Sequence, residues 1–223
     1  MTAKTRKAVI FGAGSFGEVV DFYLQRDSKW DVVAFVATAD AIDGSQFGGR
    51  PLVAIDKLVE QYPPDQHDAF VAVGYRRLNS VREEYCAKLR SMDYTLLSYC
   101  CSRATCWGEV KIGDNVFIFE DNTIQPFTSI GDGTILWSGN HIGHHSSVGA
   151  YCFISSHVVV SGHCKVGANC FLGVNSTIAD AVHIGDRNII GPGALIQKST
   201  GSDEAYFAER TSRHQKPSSW FMK

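Results

Sequence analysis

From Ile112 onward every sixth residue is aliphatic: Ile112, Ile118, Ile124, Ile130, Leu136, Ile142, Val148, Ile154, Val160, Val166, Leu172, Ile178, Ile184, Ile190 and Ile196. Fifteen positions hold this phase with no residue inserted or lost. An α-helix returns to its buried face about every 3.6 residues and a strand every second residue, so a strict period of six fits neither alone. It fits a solenoid in which a short strand and a turn alternate, each coil stacking on the one before. A second stripe runs four residues past the aliphatic and is small or modest, as at Val116, Thr134, Ser146, Cys152, Cys164, Cys170 and Ala194. Gly often follows the aliphatic directly, at 113, 131, 143, 149, 167, 173, 185 and 191, where backbone freedom suits a tight corner between flat faces.

Ahead of this ladder the pattern is of another kind. Lys7–Phe11 reads as a buried strand, followed by G-x-G-x-x-G at Gly12, Gly14 and Gly17. Phe16, Val19, Val20, Tyr23 and Leu24 then share one helical face, and Val32–Val36 is a second strand. Strand, glycine turn, helix and strand open a Rossmann-like unit, in which backbone N–H groups and a helix N-terminus approach a phosphate. Gly12, Gly14, Ser15, Phe16 and Gly17 are therefore candidate substrate contacts. The acid that would hold a ribose after the second strand is missing: the chain reads Ala37-Thr38-Ala39, and Asp40 is the nearest candidate. Pro51–Tyr62 suggests a short strand and helix, and Asp68–Val73 a strand ending at Gly74. A helix follows from Asn79 or Ser80, and Tyr94–Tyr99 reads as the last strand of this part. Gly74 and Arg76, with Arg77 and Asn79, fall at the C-terminal end of a strand, the ligand edge of such a sheet. The two arginines read more readily as surface charges than as phosphate contacts. The fold class is mixed, with a small α/β Rossmann-like domain over residues 1–100 and a β-helix over 101–200. Residues 201–223 form a polar tail that ends on Trp220, Phe221 and Met222.

Composition narrows the class. The 223 residues suffice for one large core or two modest ones. A net charge of −2 without a basic run argues against nucleic acid as a partner. No run of eighteen apolar residues is present, so no membrane insertion is expected. The N-terminal MTAKTRKAVIFGAG passes straight into a strand and leaves no room for a signal peptide, which implies a cytoplasmic protein. Seven cysteines, an odd number without compact CxxC spacing, read as free thiols, three of them in the small-residue stripe.

The period-six run resembles the left-handed parallel β-helix of the hexapeptide-repeat acyltransferases, in which three hexapeptides make one triangular coil. With the Rossmann-like stretch, the resemblance extends to the two-domain group that acylates bacterial sugars. These are the nucleotide-aminosugar N-acetyltransferases and their sialic-acid O-acetyltransferase relatives. The resemblance implies an N-terminal domain holding a nucleotide-linked aminosugar, acetyl-CoA or another short acyl-CoA as co-substrate, and no metal. It also implies a homotrimer with the CoA groove between adjacent prisms, and a setting in bacterial O-antigen, capsule or lipopolysaccharide biosynthesis.

Acyl transfer to an amine needs a base, a donor for the developing oxyanion and a groove for the acyl carrier. Six of the chain's eight histidines lie in the ladder: His141, His144, His145, His157, His163 and His183. The family carries an acid-His-acid stretch ahead of the next repeat, and alignment through Val148-Gly149 puts that base on His144. Its flanking acids become Gly143 and His145, so the orienting role falls to His145, Asn140 or an acid from elsewhere. Asn140 is also a candidate substrate contact. Eighteen residues past His144 is Gly162, stacked one coil on, whose N–H the resemblance assigns to the thioester carbonyl. His157, Gly162, Gly173, Asn175 and Gly191 are candidates for the CoA groove. For His163 and His183 a surface role is preferred. Three alternatives stay open: O-acetylation of a free or polymeric sugar, a zinc-dependent β-helix hydratase, and a sugar-nucleotide-binding protein without catalysis. The hydratase pattern needs two histidines five apart, and no such pair exists here.

Overall fold

The computed structural model describes residues 3–221, so Met222, read as part of the apolar end, lies outside the described residues. The N-terminal domain is built from β1 (Arg6–Phe11), α1 (Ser15–Asp27), β2 (Trp30–Ala37), β3 (Gln46–Phe47), β4 (Arg50–Ala54), α2 (Leu58–Gln61), β5 (His67–Val71) and α3 (Ser80–Ser91). The sheet order is β3-β4-β2-β1-β5, parallel except for the β3/β4 pair. β1 is central, and Ala8–Phe11 is buried without alternation because both faces of a parallel sheet are covered. β2 and β5 flank β1 on opposite sides, so a crevice opens where the chain leaves β1 and β5.

Tyr94–Tyr99 does not form a sixth strand. Leu96 makes one bridge to Ala69, and then Tyr99–Cys100 pairs with Phe117–Ile118 in the next domain. Leu96 packs under the α/β sheet, whereas Leu97 and Tyr99 turn into the junction between domains. One strand cannot serve both cores, and the segment becomes the crossing point.

From Tyr99 the chain winds a left-handed β-helix of two-residue strands, each paired in parallel with the strand eighteen residues on. Three faces result. The first holds Tyr99–Cys100, Phe117–Ile118, Ile135–Leu136, Phe153–Ile154, Phe171–Leu172 and Ile189–Ile190, and is closed by Ala205–Tyr206 from the stretch read as tail. The second runs from Thr105–Cys106 through His141–Ile142 to Leu195–Ile196, and the third from Lys111–Ile112 to His183–Ile184. Every ladder aliphatic from Ile118 to Ile196 points inward and is buried; Ile112, in the open first coil, is 38% exposed.

The glycines after the aliphatics have a different purpose from the one expected. None of them adopts positive φ. A Cβ on Gly131 would lie 2.5 Å from the Ala150 nitrogen and 2.7 Å from the Gly149 carbonyl carbon, so the absent side chain allows coils to stack backbone on backbone. The left-handed corner residue sits three past the aliphatic. It is mostly not glycine, as at Asn115, Phe127, His145, Tyr151, His157, His163, Asn169 and Asn175. The small stripe one residue further on closes each corner. Thr134 Oγ1 donates to the Gly149 carbonyl at 2.8 Å and accepts from Cys152 N–H at 3.0 Å. Ser146 repeats this clip, and the Cys152, Cys164 and Cys170 thiols, free like the other four, donate to carbonyls fifteen residues on.

The α/β domain packs on the first face through Phe16, Tyr23 and Phe70 against Tyr99, Phe117, Phe119, Ile135, Trp137 and Phe153. Asn115 extends the edge of β5, its Oδ1 accepting from Val71 N–H at 2.7 Å. Arg82 of α3 is fully buried and spans the junction. Its guanidinium donates to the carbonyls of Val73, Gly74, Gly133, Tyr151 and Cys152 and to Asn79 Oδ1, at 2.6–3.1 Å. Burial pushes its pKa down to about 10, which leaves it charged at neutral pH.

Candidate functional site

Two regions collect the chemistry. In the α/β domain a pocket of about 370 Å³ opens between the ends of β1, β2 and β5, lined among others by Gly12, Ala13, Thr38, Arg76, Arg77 and Tyr85. Gly12 has φ +123°, and a Cβ there would meet the Ala72 carbonyl oxygen at 2.5 Å. Gly14 caps α1 with open space around it, so its backbone is approachable. Arg77, Leu78 and Asn79 are three successive non-glycine residues at positive φ. Such backbone costs on the order of 1–3 kcal/mol per residue and persists only when its surroundings hold it. Here Arg82 grips the carbonyls of Val73 and Gly74, and Asn79 Nδ2 donates to the Cys170 carbonyl at 3.1 Å. Asp40 lies exposed in the turn Ala39–Ala41, outside the pocket lining; Gly14, Ser15, Phe16, Gly17 and Gly74 flank the crevice without lining it.

The second region is the edge between the second and third faces. The left-handed corners at Phe127, His145 and His163 stack there coil on coil. His144 N–H donates to Gln125 Oε1 at 2.8 Å, and His144 Nδ1 lies 3.1 Å from His145 Nδ1. The His145 ring lies 4.6 Å from Phe127 below and stacks on His163 above at 5.0 Å. The position of a Cβ on Gly162 lies 3.1 Å from His144 Nε2 and 3.0 Å from Asp180 Oδ1, so imidazole and carboxylate border one space above Gly162. The Gly162 N–H, unlike that of His144, finds no acceptor among the described residues. His144, His145 and Gly162 are thus brought together. His163 and Asp180 join them, and eighteen-residue steps from 145 and 162 lead to both.

Other candidates fall elsewhere. Asn140 is buried, its amide donating to the Trp137 carbonyl and its Oδ1 accepting from Val158 N–H at 2.8 Å; it is an inter-coil clip closed to substrate and to His144. His157, Gly173, Asn175 and Gly191 lie on the edge between the first and second faces, across the second face from His144. Gly173 is pressed against the Pro192 nitrogen and Gly191 against the Phe207 ring, so stacking alone accounts for both glycines.

The comparisons divide as the structure does. Residues 7–89 match the PglD N-terminal domain family, and residues 127–162 and 163–198 match the bacterial transferase hexapeptide family of six repeats. The two matches fall one on each domain of the structure. No curated protein matches the chain by sequence. Among solved structures it resembles PerB from Caulobacter crescentus in complex with CoA and GDP-perosamine, at 24% identity over 92% of this chain and 95% of that one, with a TM-score of 0.78. It also resembles the acetyltransferase domain of PglB from Neisseria gonorrhoeae FA1090 in complex with acetyl coenzyme A, at 22% identity over 90% and 96%, with a TM-score of 0.79. WeeI from Acinetobacter baumannii AYE follows at 19% identity over 90% and 96%, with a TM-score of 0.71. At these identities the likeness establishes the two-domain fold. No helix among the described residues is long and apolar enough to cross a membrane.

Proposed function

We propose that this two-domain hexapeptide protein is an acyl-CoA-dependent N-acyltransferase, acetyl-CoA being the expected donor, acting on a nucleotide-linked aminosugar. The observation that carries this reading is the stack of His144 on Gly162: an exposed imidazole beside a backbone N–H that has no acceptor among the described residues. The sugar-nucleotide would enter the α/β pocket, where Arg76 and Arg77 supply positive charge and the Ala13–Gly14 turn supplies backbone donors. Relatives of the same fold that hold CoA, acetyl coenzyme A and GDP-perosamine support both ligand classes.

In the proposed step the amine nitrogen attacks the thioester carbonyl, the C–N bond forms and the C–S bond breaks. His144 Nε2 takes the amine proton and passes it to the departing thiolate, while the Gly162 N–H stabilises the oxyanion. His145 substitutes for the missing orienting acid: His144 Nδ1–H donating to His145 Nδ1 leaves the lone pair on Nε2, facing Gly162. Asp180 borders the same space and favours the acceptor's ammonium form on arrival.

The α/β domain covers the first face, whereas His144 lies on the edge between the other two faces. A sugar-nucleotide in a chain's own pocket is therefore remote from that chain's His144, and we assign the completed site to two neighbouring copies in a homotrimer. A CoA-release assay across UDP-, GDP- and dTDP-aminosugars tests the activity. Turnover on one of them, lost in His144→Ala, is expected; turnover unchanged in His144→Ala would sink the proposed base. A monomeric mass at assay concentration would overturn the trimer.

A further inference from the structure

We infer that the edge carrying His144 is also a binding site for a borderline divalent transition ion such as zinc, and that occupancy silences the base. One ligand nitrogen from each of His144, His145 and His163 lies within 4.8 Å of the others, with no protein acid among the three. Imidazole is the common nitrogen ligand for ions of this class, and three neutral rings with an open fourth position make a complete zinc ligand set. Zn–N bonds of about 2.0–2.1 Å place tetrahedral ligand nitrogens about 3.3 Å apart. The His144 and His145 Nδ1 atoms already lie 3.1 Å apart; an ion needs their rings to turn the lone pairs onto a common point and His163 to swing inward.

The backbone favours this arrangement. His145 and His163 occupy successive left-handed corners, with φ of 58° and 57°; their rings stack nearly parallel at 17°, so a ring rotation brings both lone pairs onto one ion. The coil stacking that fixes those corners fixes the side-chain origins, so binding orders little beyond ring torsions. All three residues are exposed, which leaves an ion a direct approach from solvent.

The consequence for catalysis rests on the acyl-transfer reading above. An ion held at His144 Nδ1 leaves the ring proton on Nε2, the atom that faces Gly162. The lone pair needed to accept the amine proton is then gone. The cluster is thus a metal-operated brake, separate from any metal role in the chemical step. His163 takes no proton in that step, and its role here is to hold the ion.

The test uses the full-length protein, stripped with EDTA and titrated with Zn(II) against a chromophoric zinc indicator. One ion per chain is expected, with affinity at least tenfold weaker in His163→Asn and in His145→Asn; asparagine keeps the left-handed corner. CoA release should be inhibited by one equivalent of zinc, restored by EDTA, and resistant to zinc in His163→Asn, each protein being compared with its own zinc-free turnover. Absence of stoichiometric binding, or equal zinc affinity in His163→Asn, would overturn the site. Equal zinc inhibition of wild type and His163→Asn would overturn the brake. The indicator titration needs no acceptor sugar. Failure of every acceptor with zinc binding intact would count against the acyl-transfer reading alone.

Discussion

Two edges of the same prism share one backbone repeat and differ in what they leave unfinished. The edge between the third and first faces runs through Gly113, Gly131, Gly149, Gly167 and Gly185, five glycines stacked one per coil. Beside them the Gly133, Tyr151 and Cys152 carbonyls go to Arg82, the Cys170 carbonyl goes to Asn79, and Arg90 pairs with Asp132 at 2.7 Å. The edge between the second and third faces has the same left-handed corners, but its side chains are imidazoles, a phenyl ring and a carboxylate open to solvent, and its Gly162 N–H has no acceptor among the described residues. One corner geometry serves as a joint where the chain's own second domain supplies partners, and as a reactive surface where that domain does not reach. The β-helix sets positions; the neighbours decide what each position does.

The sharpest way to break this contrast is His144→Ala. Removing a general base is expected to lower kcat by about 10²–10⁴-fold. The side chain is exposed, so the melting temperature should move little, within about 0.5 kcal/mol of stability. Chemical denaturation beside a CoA-release assay checks both; a large stability loss would place His144 with the structural edge.

Arg82→Met tests the opposite edge. It removes a buried charge and orphans several carbonyls together, which should cost about 3–5 kcal/mol. Denaturant midpoints would show this, and a loss below about 1 kcal/mol would mean that the junction is held by the aromatic cluster alone. Any activity lost in folded protein should appear as raised KM for the sugar-nucleotide, since Arg82 holds the loop that bears Arg76 and Arg77.

A matched glycine pair comes next. In Gly131→Ala the new Cβ meets the backbone of Gly149 and Ala150, which cannot yield without unstacking coils, so roughly 1–3 kcal/mol is lost. In Gly162→Ala it meets only the His144 ring and the Asp180 carboxylate, both side chains that can move. Stability should hold within about 0.5 kcal/mol while kcat falls about tenfold or more, because the imidazole is displaced. Equal stability losses in the two variants would erase the distinction between the edges.

Legibility in the sequence follows the same division. The ladder is readable because stacking at eighteen residues forces one inward side chain every six, and nothing in the α/β domain competes for those positions. His144 over Gly162 is readable by the same arithmetic, and one step more reaches His163 and Asp180. Arg82 is hidden because the apolar positions of this helix are Val81, Tyr85 and Leu89, and an arginine beside them reads as polar surface; only the carbonyls converging from Val73, Gly133 and Tyr151 explain a buried guanidinium. Asn140 misleads because the amide that suits a sugar hydroxyl suits a coil-to-coil clip equally well. Tyr94–Tyr99 has the residues of a strand, yet its side chains serve two cores.

The smallest expected effect lies on the third edge, where the two domains touch through Tyr23 and Glu120. The Tyr23 hydroxyl donates to Glu120 Oε2 at 2.6 Å, and the Ser138 hydroxyl donates to Oε1 at 2.8 Å. Burial opposes ionisation of Glu120, but these hydrogen bonds, its own backbone and the charge of Arg103 outweigh it and hold the carboxyl below the usual carboxylate range. A depressed carboxyl contributes stability in full above its unfolded value of 4.5, and that contribution is lost as pH falls through the lower folded value. Tyr23→Phe should therefore cost about 1 kcal/mol at pH 7, with a difference from wild type that shrinks below about pH 4. Melting temperatures from pH 3 to pH 7 would show the two curves converging at the acid end. Parallel curves would mean that the hydroxyl contributes by packing, and that this edge is joined by its aromatic rings alone.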